Sequence, residues 1–207
     1  MYEKIVFDMD GVIRVGNRLI EGSIETLDYM QKYNIKGALC TNEDRYTEEE
    51  IREDLYEMGF DIPTTWQIVT SGMVVNKFLH AKVTKNPNIH YDIGIIGETG
   101  LYSTLSTLTE LDNCTVTEHP RTNDSNKILV IGTLNTMKMS SLNKALEWIK
   151  AGAKIITTCI DISDPASRGD FNLCMPNHTI HLLKYNVSVP KPYSCLLYTS
   201  PSPRDSI

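Results

Sequence analysis

Near the amino terminus, Ile5-Val6-Phe7 runs without a polar break into Asp8-Met9-Asp10-Gly11. A continuous apolar run of this kind suits a parallel strand covered on both faces, which places helices on either side of the sheet that contains it. Asp8 then falls at the carboxyl end of the strand, where open α/β sheets bind ligands. Asp8 and Asp10 stand two positions apart, so continued strand geometry points both to one side. Carboxylates this close repel each other, and a divalent cation that prefers oxygen ligands, such as Mg²⁺, relieves the repulsion. With Gly11 relaxing the backbone, one acid can attack while the other gives and takes a proton.

The segment Asp8-Met9-Asp10-Gly11-Val12 after a hydrophobic strand resembles the first motif of the haloacid dehalogenase (HAD) superfamily. Two further segments make it similar to the NagD-like and 4-nitrophenylphosphatase-like branch. Leu19-Ile20-Glu21-Gly22-Ser23 leads into the apolar positions Ile24, Leu27 and Met30, and Gly37-Ala38-Leu39-Cys40-Thr41-Asn42 is a strand ending in Thr-Asn. Val189-Pro190-Lys191-Pro192 approximates the family's Gly-Lys-Pro, with Pro190 in place of the glycine. The resemblance implies an α/β fold: a Rossmann-like parallel-sheet core from residues 1–89 and 187–194, with an α/β cap domain inserted over 90–186. It further implies Mg²⁺-dependent hydrolysis of small phosphomonoesters through an aspartyl-phosphate. Asp8 is the expected nucleophile and Asp10 the acid/base, both at the metal. Thr41, Asn42 and Lys191 are expected on the phosphate, with Lys191 also catalytic. Pairing of two copies through the cap is expected as well.

The second acid separates sister chemistries. Halide leaves without a proton, whereas the alkoxide of a phosphate ester needs one, so Asp10 favours ester hydrolysis. Thr41 at a strand end can donate its hydroxyl to phosphate oxygens. Within the cap, Thr158-Cys159-Ile160-Asp161 resembles the family's Thr-Asn-x-Asp, and Asp161 and Arg168 are expected to face the leaving group. His178 and His181 are spaced i, i+3 as on a helix surface, with no third metal ligand evident. Pro190 and the altered cap segments define an alternative, a catalytically impaired HAD-fold binding or regulatory protein.

At 207 residues and 41% hydrophobic content, the chain can bury one core and a second small one. A net charge of −6 with no Lys/Arg stripe argues against nucleic acid. No apolar run approaches the ~18 residues of a membrane span, and the amino terminus has no signal-peptide pattern, so the expected location is cytoplasmic. Five cysteines include no CxxC pair, and Cys40 and Cys159 lie in apolar runs as buried thiols. Residues 195–207 change abruptly to a Ser/Pro-rich string that resembles a translated sequencing adapter. A native sequence ending near Ser194 would be C-terminally truncated before the family's fourth-motif aspartates and is expected to be poorly active.

Local signals place several elements. Thr47-Glu48-Glu49-Glu50 reads as a capping box ahead of Ile51, Leu55 and Met58, with Gly59 past the end. Helices are predicted over 71–81, near 102–108 and over 140–151, and strands over 92–97, 127–132 and 154–159. Val74, Val75, Phe78 and Leu79 are predicted to share one helix face, residues 82–88 to be a hinge or linker, and 118–126 a surface loop.

Overall fold

The computed structural model describes residues 4–121, 125–159, 163–165 and 171–173. The chain forms two compact units, one containing the residues up to Asn42 together with Glu48–Thr70, the other Glu43–Thr47 and Ser71–Ile162. In the first, β1 (Lys4–Asp8) is followed by a short antiparallel hairpin of β2 (Arg14–Val15) and β3 (Arg18–Leu19), then α1 (Ser23–Lys32), β4 (Lys36–Thr41), α2 (Glu48–Glu57) and β5 (Gln67–Thr70). The order β1-β4-β5 makes a parallel sheet with β4 in the middle. Its core joins Leu39 and Ile68 of the sheet to Leu27 and Met30 of α1, Ile51 and Leu55 of α2, and Phe60 and Trp66.

Two of the helix ends follow from single residues. After α2, Gly59 has φ +91°. Its N–H donates to the Tyr56 carbonyl at 2.9 Å, and that of Phe60 to the Leu55 carbonyl at 2.8 Å. This Schellman arrangement satisfies carbonyls the helix would otherwise leave open. Asn34, at φ 51°, closes α1 in the same way. The helix expected after the capping box begins immediately after Thr47 and buries Ile51 and Leu55.

The expectation that β1 is covered on both faces is corrected. Val6 is 62% exposed, and Ile5 and Phe7 are only half-buried. Among the described residues β1 pairs with β4 alone and no layer covers Val6. Trp66 reaches the sheet instead at Gly37 of β4, where a Cβ would lie 2.2 Å from the indole, and stacks on Phe7 at 5.9 Å between centroids.

In the second unit the described order is α3 (Ser71–Thr84), β6 (Tyr91–Ile96), α4 (Thr99–Ser106), a 3₁₀ turn (Thr107–Glu110), β7 (Cys114–Val116), β8 (Asn126–Ile131), α5 (Met139–Lys150) and β9 (Lys154–Thr157). The strands lie parallel in the order β7-β6-β8-β9. All six residues of β6 are buried, as in a strand with helices on both faces. Ile93, Ile95, Ile128 and Val130 pack with Val75, Leu79 and Val83 of α3 and Leu101 and Leu105 of α4. The alternate residues Ile96, Leu129 and Ile131 pack with Ala145 and Trp148 of α5. Gly94 makes room for that tryptophan, since a Cβ there would meet it at 2.4 Å. Outside this sheet, β10 (Ser163–Pro165) and β11 (Phe171–Leu173) form a separate two-stranded pair, of which β10 belongs to the first unit.

Two local expectations change here. Residues 82–88 are no hinge: α3 continues to Thr84, Val83 is fully buried, and the Asn113 amide donates to the carbonyls of Val83, Asn86 and Ile89 at 2.9–3.2 Å. Phe78 is 39% exposed, because the buried stripe of α3 runs through Val75, Leu79 and Val83. Cys159 is buried as expected, while Cys40 is only half-buried.

Glu43–Thr47 enters this second unit through Asp44, which is 1% exposed. Its carboxylate accepts the Thr133 N–H at 3.2 Å and the Thr158 hydroxyl at 2.6 Å. Burial pushes the Asp44 carboxyl up to about 6; the two hydrogen bonds oppose the rise and the neighbouring Glu43 charge adds to it. Arg45 answers Glu43 with a forked pair at 2.8 and 2.5 Å, and its carbonyl accepts the Gly100 N–H at 2.9 Å. Among the described residues, no helix is long and apolar enough to cross a membrane.

Candidate active site

The carboxyl ends of β1, β4 and β5 bring the amino-terminal candidates into one row of strand ends. Asp8 closes β1 and pairs in register with Cys40, one residue before Thr41 at the end of β4; Thr41 in turn pairs with Thr70 at the end of β5. Thr41 and Thr70 are 1% and 3% exposed, whereas Asp8 and Asn42 are half-buried. The Met9 N–H donates to Asp8 Oδ1 at 2.8 Å, which fixes the carboxylate plane at the strand end. Burial and then the Asp8 charge raise the pKa of the Cys40 thiol, so it remains protonated at neutral pH and is no competing nucleophile.

Beyond Asp8 the chain folds back at once. The Met9 side chain is fully buried, and its carbonyl accepts the N–H groups of Ile13 at 2.9 Å and Arg14 at 3.1 Å. Gly11, at φ +87°, donates its N–H to the Arg14 carbonyl at 2.7 Å. A residue with a Cβ would be strained at that φ, so the turn depends on this glycine. Asp8 and Asp10 therefore flank a buried anchor. Asp10 accepts the Arg14 Nε–H on Oδ1 at 3.1 Å, and Arg14 Nη1 donates to Asp54 of α2.

The donor set fits a hard cation: Asp8 and Asp10 offer carboxylate oxygens, while the Met9 thioether between them is fully buried. Among the described residues no group of three or more acids, histidines or cysteines is placed to hold a metal ion. Lys191, Asp161, Arg168, His178 and His181 lie outside the described residues. Sequence reasoning missed Arg14 and Thr70. The signal for Thr70 was present as a second apolar run, Ile68-Val69, ending in threonine ahead of a helix. Arg14 gave none, because its partner Asp54 is 40 positions away.

Residues 5–109 match a family model described as haloacid dehalogenase-like hydrolase. A dihydroxyacetone phosphatase of Corynebacterium glutamicum is 26% identical over 162 residues, covering 78% of this chain and 54% of the relative. Among solved structures, the 4-nitrophenylphosphatase of Thermotoga maritima superposes with a TM-score of 0.71 at 21% identity, over 91% of this chain and 67% of that one. The glycerol phosphate phosphatase of Mycobacterium tuberculosis, in complex with magnesium, does so with a TM-score of 0.73 at 19% identity, over 91% and 54%. The chain spans about half the length of the curated relatives it matches. With half of its residues answering to that family model, and with parallel α/β units of the same fold, the chain belongs to the haloacid dehalogenase-like hydrolases.

Proposed function

We propose that this protein is a cytoplasmic, Mg²⁺-dependent phosphatase of small phosphomonoesters, with sugar and polyol phosphates as the substrate class. The observation that carries the reading is the turn that sets Asp8 at the end of β1 and Asp10 two residues on, beside the Thr41 end of β4. The substrate class draws support from the relatives named for dihydroxyacetone and glycerol phosphate. In this reading residues 90–186 act as a cap over a core of 1–89 and 187–194, and the caps of two copies pair.

An Asp8 carboxylate oxygen attacks phosphorus, the ester P–O bond breaks, and Asp10 gives its proton to the departing alkoxide, which leaves as an alcohol. Water then attacks the phosphorus of the acyl phosphate while Asp10 takes back a proton. The bond to Asp8 breaks, inorganic phosphate leaves, and both acids return to their starting states. Thr41 and Asn42 donate to the phosphate oxygens, and Lys191 balances their charge. Asp8 and Asp10 would hold Mg²⁺, which when bound would supply charge neutralisation for the phosphate.

The test is Asp8→Asn, which keeps size and hydrogen bonding but removes the attacking charge. In the full-length protein with Mg²⁺, turnover of p-nitrophenyl phosphate should fall by about 10³-fold or more with the circular dichroism spectrum unchanged, the order seen on removing other nucleophiles. A near wild-type rate would exclude Asp8 from that role.

A further inference from the structure

Arg14 opens β2 directly after the turn that carries Asp10, and the reaction scheme above does not use it. Its side chain is 8% exposed, and guanidinium groups are rarely buried so far unless paired. Both of its partners are carboxylates: Nε donates to Asp10 Oδ1 at 3.1 Å, and Nη1 to Asp54, half-exposed on α2. The backbone under it is pinned from two sides, by its N–H to the Met9 carbonyl and by its carbonyl to the Gly11 N–H. Asp10 and Arg14 also form an isolated β-bridge. The guanidinium is a rigid planar fork, so a partner held on one edge while another carboxylate anchors the other is fixed in angle as well as distance.

We infer that Arg14 is a positioning residue, held by Asp54, that aims the Asp10 carboxylate at the leaving-group oxygen. The inference rests on the reading of Asp10 as the proton donor. An anchor serving stability alone would need no contact with Asp10; this one grips the acid directly and reaches α2 with its other arm. Proton transfer demands that the donor sit within hydrogen-bond reach of the departing oxygen, and a misplacement of about 1 Å costs up to about 10²-fold.

The experiment compares Arg14→Met, Arg14→Lys, Asp54→Asn and Asp10→Asn in the full-length protein, with glycerol phosphate as an alkyl ester and p-nitrophenyl phosphate as an aryl ester whose leaving group needs little protonation. Arg14→Met should lower kcat on glycerol phosphate by about 10–100-fold and on p-nitrophenyl phosphate by less than about threefold, with KM for both nearly unchanged. Asp54→Asn, at a half-exposed position that folding tolerates, should shift the alkyl/aryl ratio in the same direction by about 2–5-fold, and Arg14→Lys should recover part of the loss. If Asp10→Asn discriminates between the esters while Arg14→Met and Asp54→Asn depress both equally, the positioning role is overturned and the acid/base reading stands. If Asp10→Asn does not discriminate, or the wild-type protein hydrolyses neither ester, the acid/base reading fails and takes this inference with it.

Discussion

The buried carboxylate of Asp44 makes the stability of the second unit depend on pH in a direction opposite to that of most acids. Its ordinary value of 3.8 rises to about 6 because burial penalises the charged form. The folded chain therefore holds this proton more tightly than the unfolded chain does. The resulting stabilisation is fully present below pH 3.8 and is lost as pH rises through about 6. At about 1.4 kcal/mol per pH unit the difference amounts to about 3 kcal/mol, a large part of the net stability of a domain of this size. Asp44→Asn preserves the shape and an oxygen for the Thr158 hydroxyl but takes up no proton. Guanidinium unfolding of both proteins in a Trp66→Phe background, where Trp148 alone reports, should show wild type gaining about 2 kcal/mol relative to the variant between pH 7.5 and pH 4. Using the difference between the two removes the acid titration of every other group. Parallel stability curves over that range would mean that Asp44 titrates alike folded and unfolded, and the reasoning from its burial would be refuted.

Two further substitutions test the backbone and packing arguments. Gly94→Ala drives a methyl to 2.4 Å from the fully buried Trp148 ring, and should destabilise the second unit by about 1–3 kcal/mol in chemical denaturation followed by Trp148 fluorescence. Gly59→Ala meets nothing closer than Ile24 at 4.0 Å, so its cost comes from φ +91° alone: about 1–2 kcal/mol in the first unit, read through Trp66.

What could be read from the sequence was what local chemistry dictates. The Asp8/Asp10 strand end, the Thr41-Asn42 strand end, the α2 boundaries and the helix stop at Gly59 each depend on residues within a few positions of one another. The helix-strand series of the second unit was legible for the same reason, with β6 and β8 standing out as continuous apolar runs. Arg14 and Asp44 were not legible, because their meaning lies in partners 40 and 114 positions away. The two-residue strands β2 and β3 carry too little pattern to separate a hairpin from a polar loop. Val6 misled in the opposite sense: an apolar run signals a strand suited to burial, but whether a layer covers it is decided by the rest of the chain. Phe78 misled because a helix face chosen from four neighbouring apolar residues has two solutions, and packing selected the one continued by Val83.

Each unit keeps one of the chain's two tryptophans over a glycine in a strand flanked by others, Trp66 over Gly37 and Trp148 over Gly94. In mutational terms, each pair behaves as one character spread over two positions. A side chain at the glycine is excluded while the indole is present, and a smaller residue at the tryptophan opens a void while the glycine remains. Neither member can drift first without a loss of stability. In a library randomised at all four positions and selected for folding, residues larger than glycine at 37 should be recovered only with small residues at 66, and those at 94 only with small residues at 148. No linkage is expected between the two pairs, since each is confined to its own core.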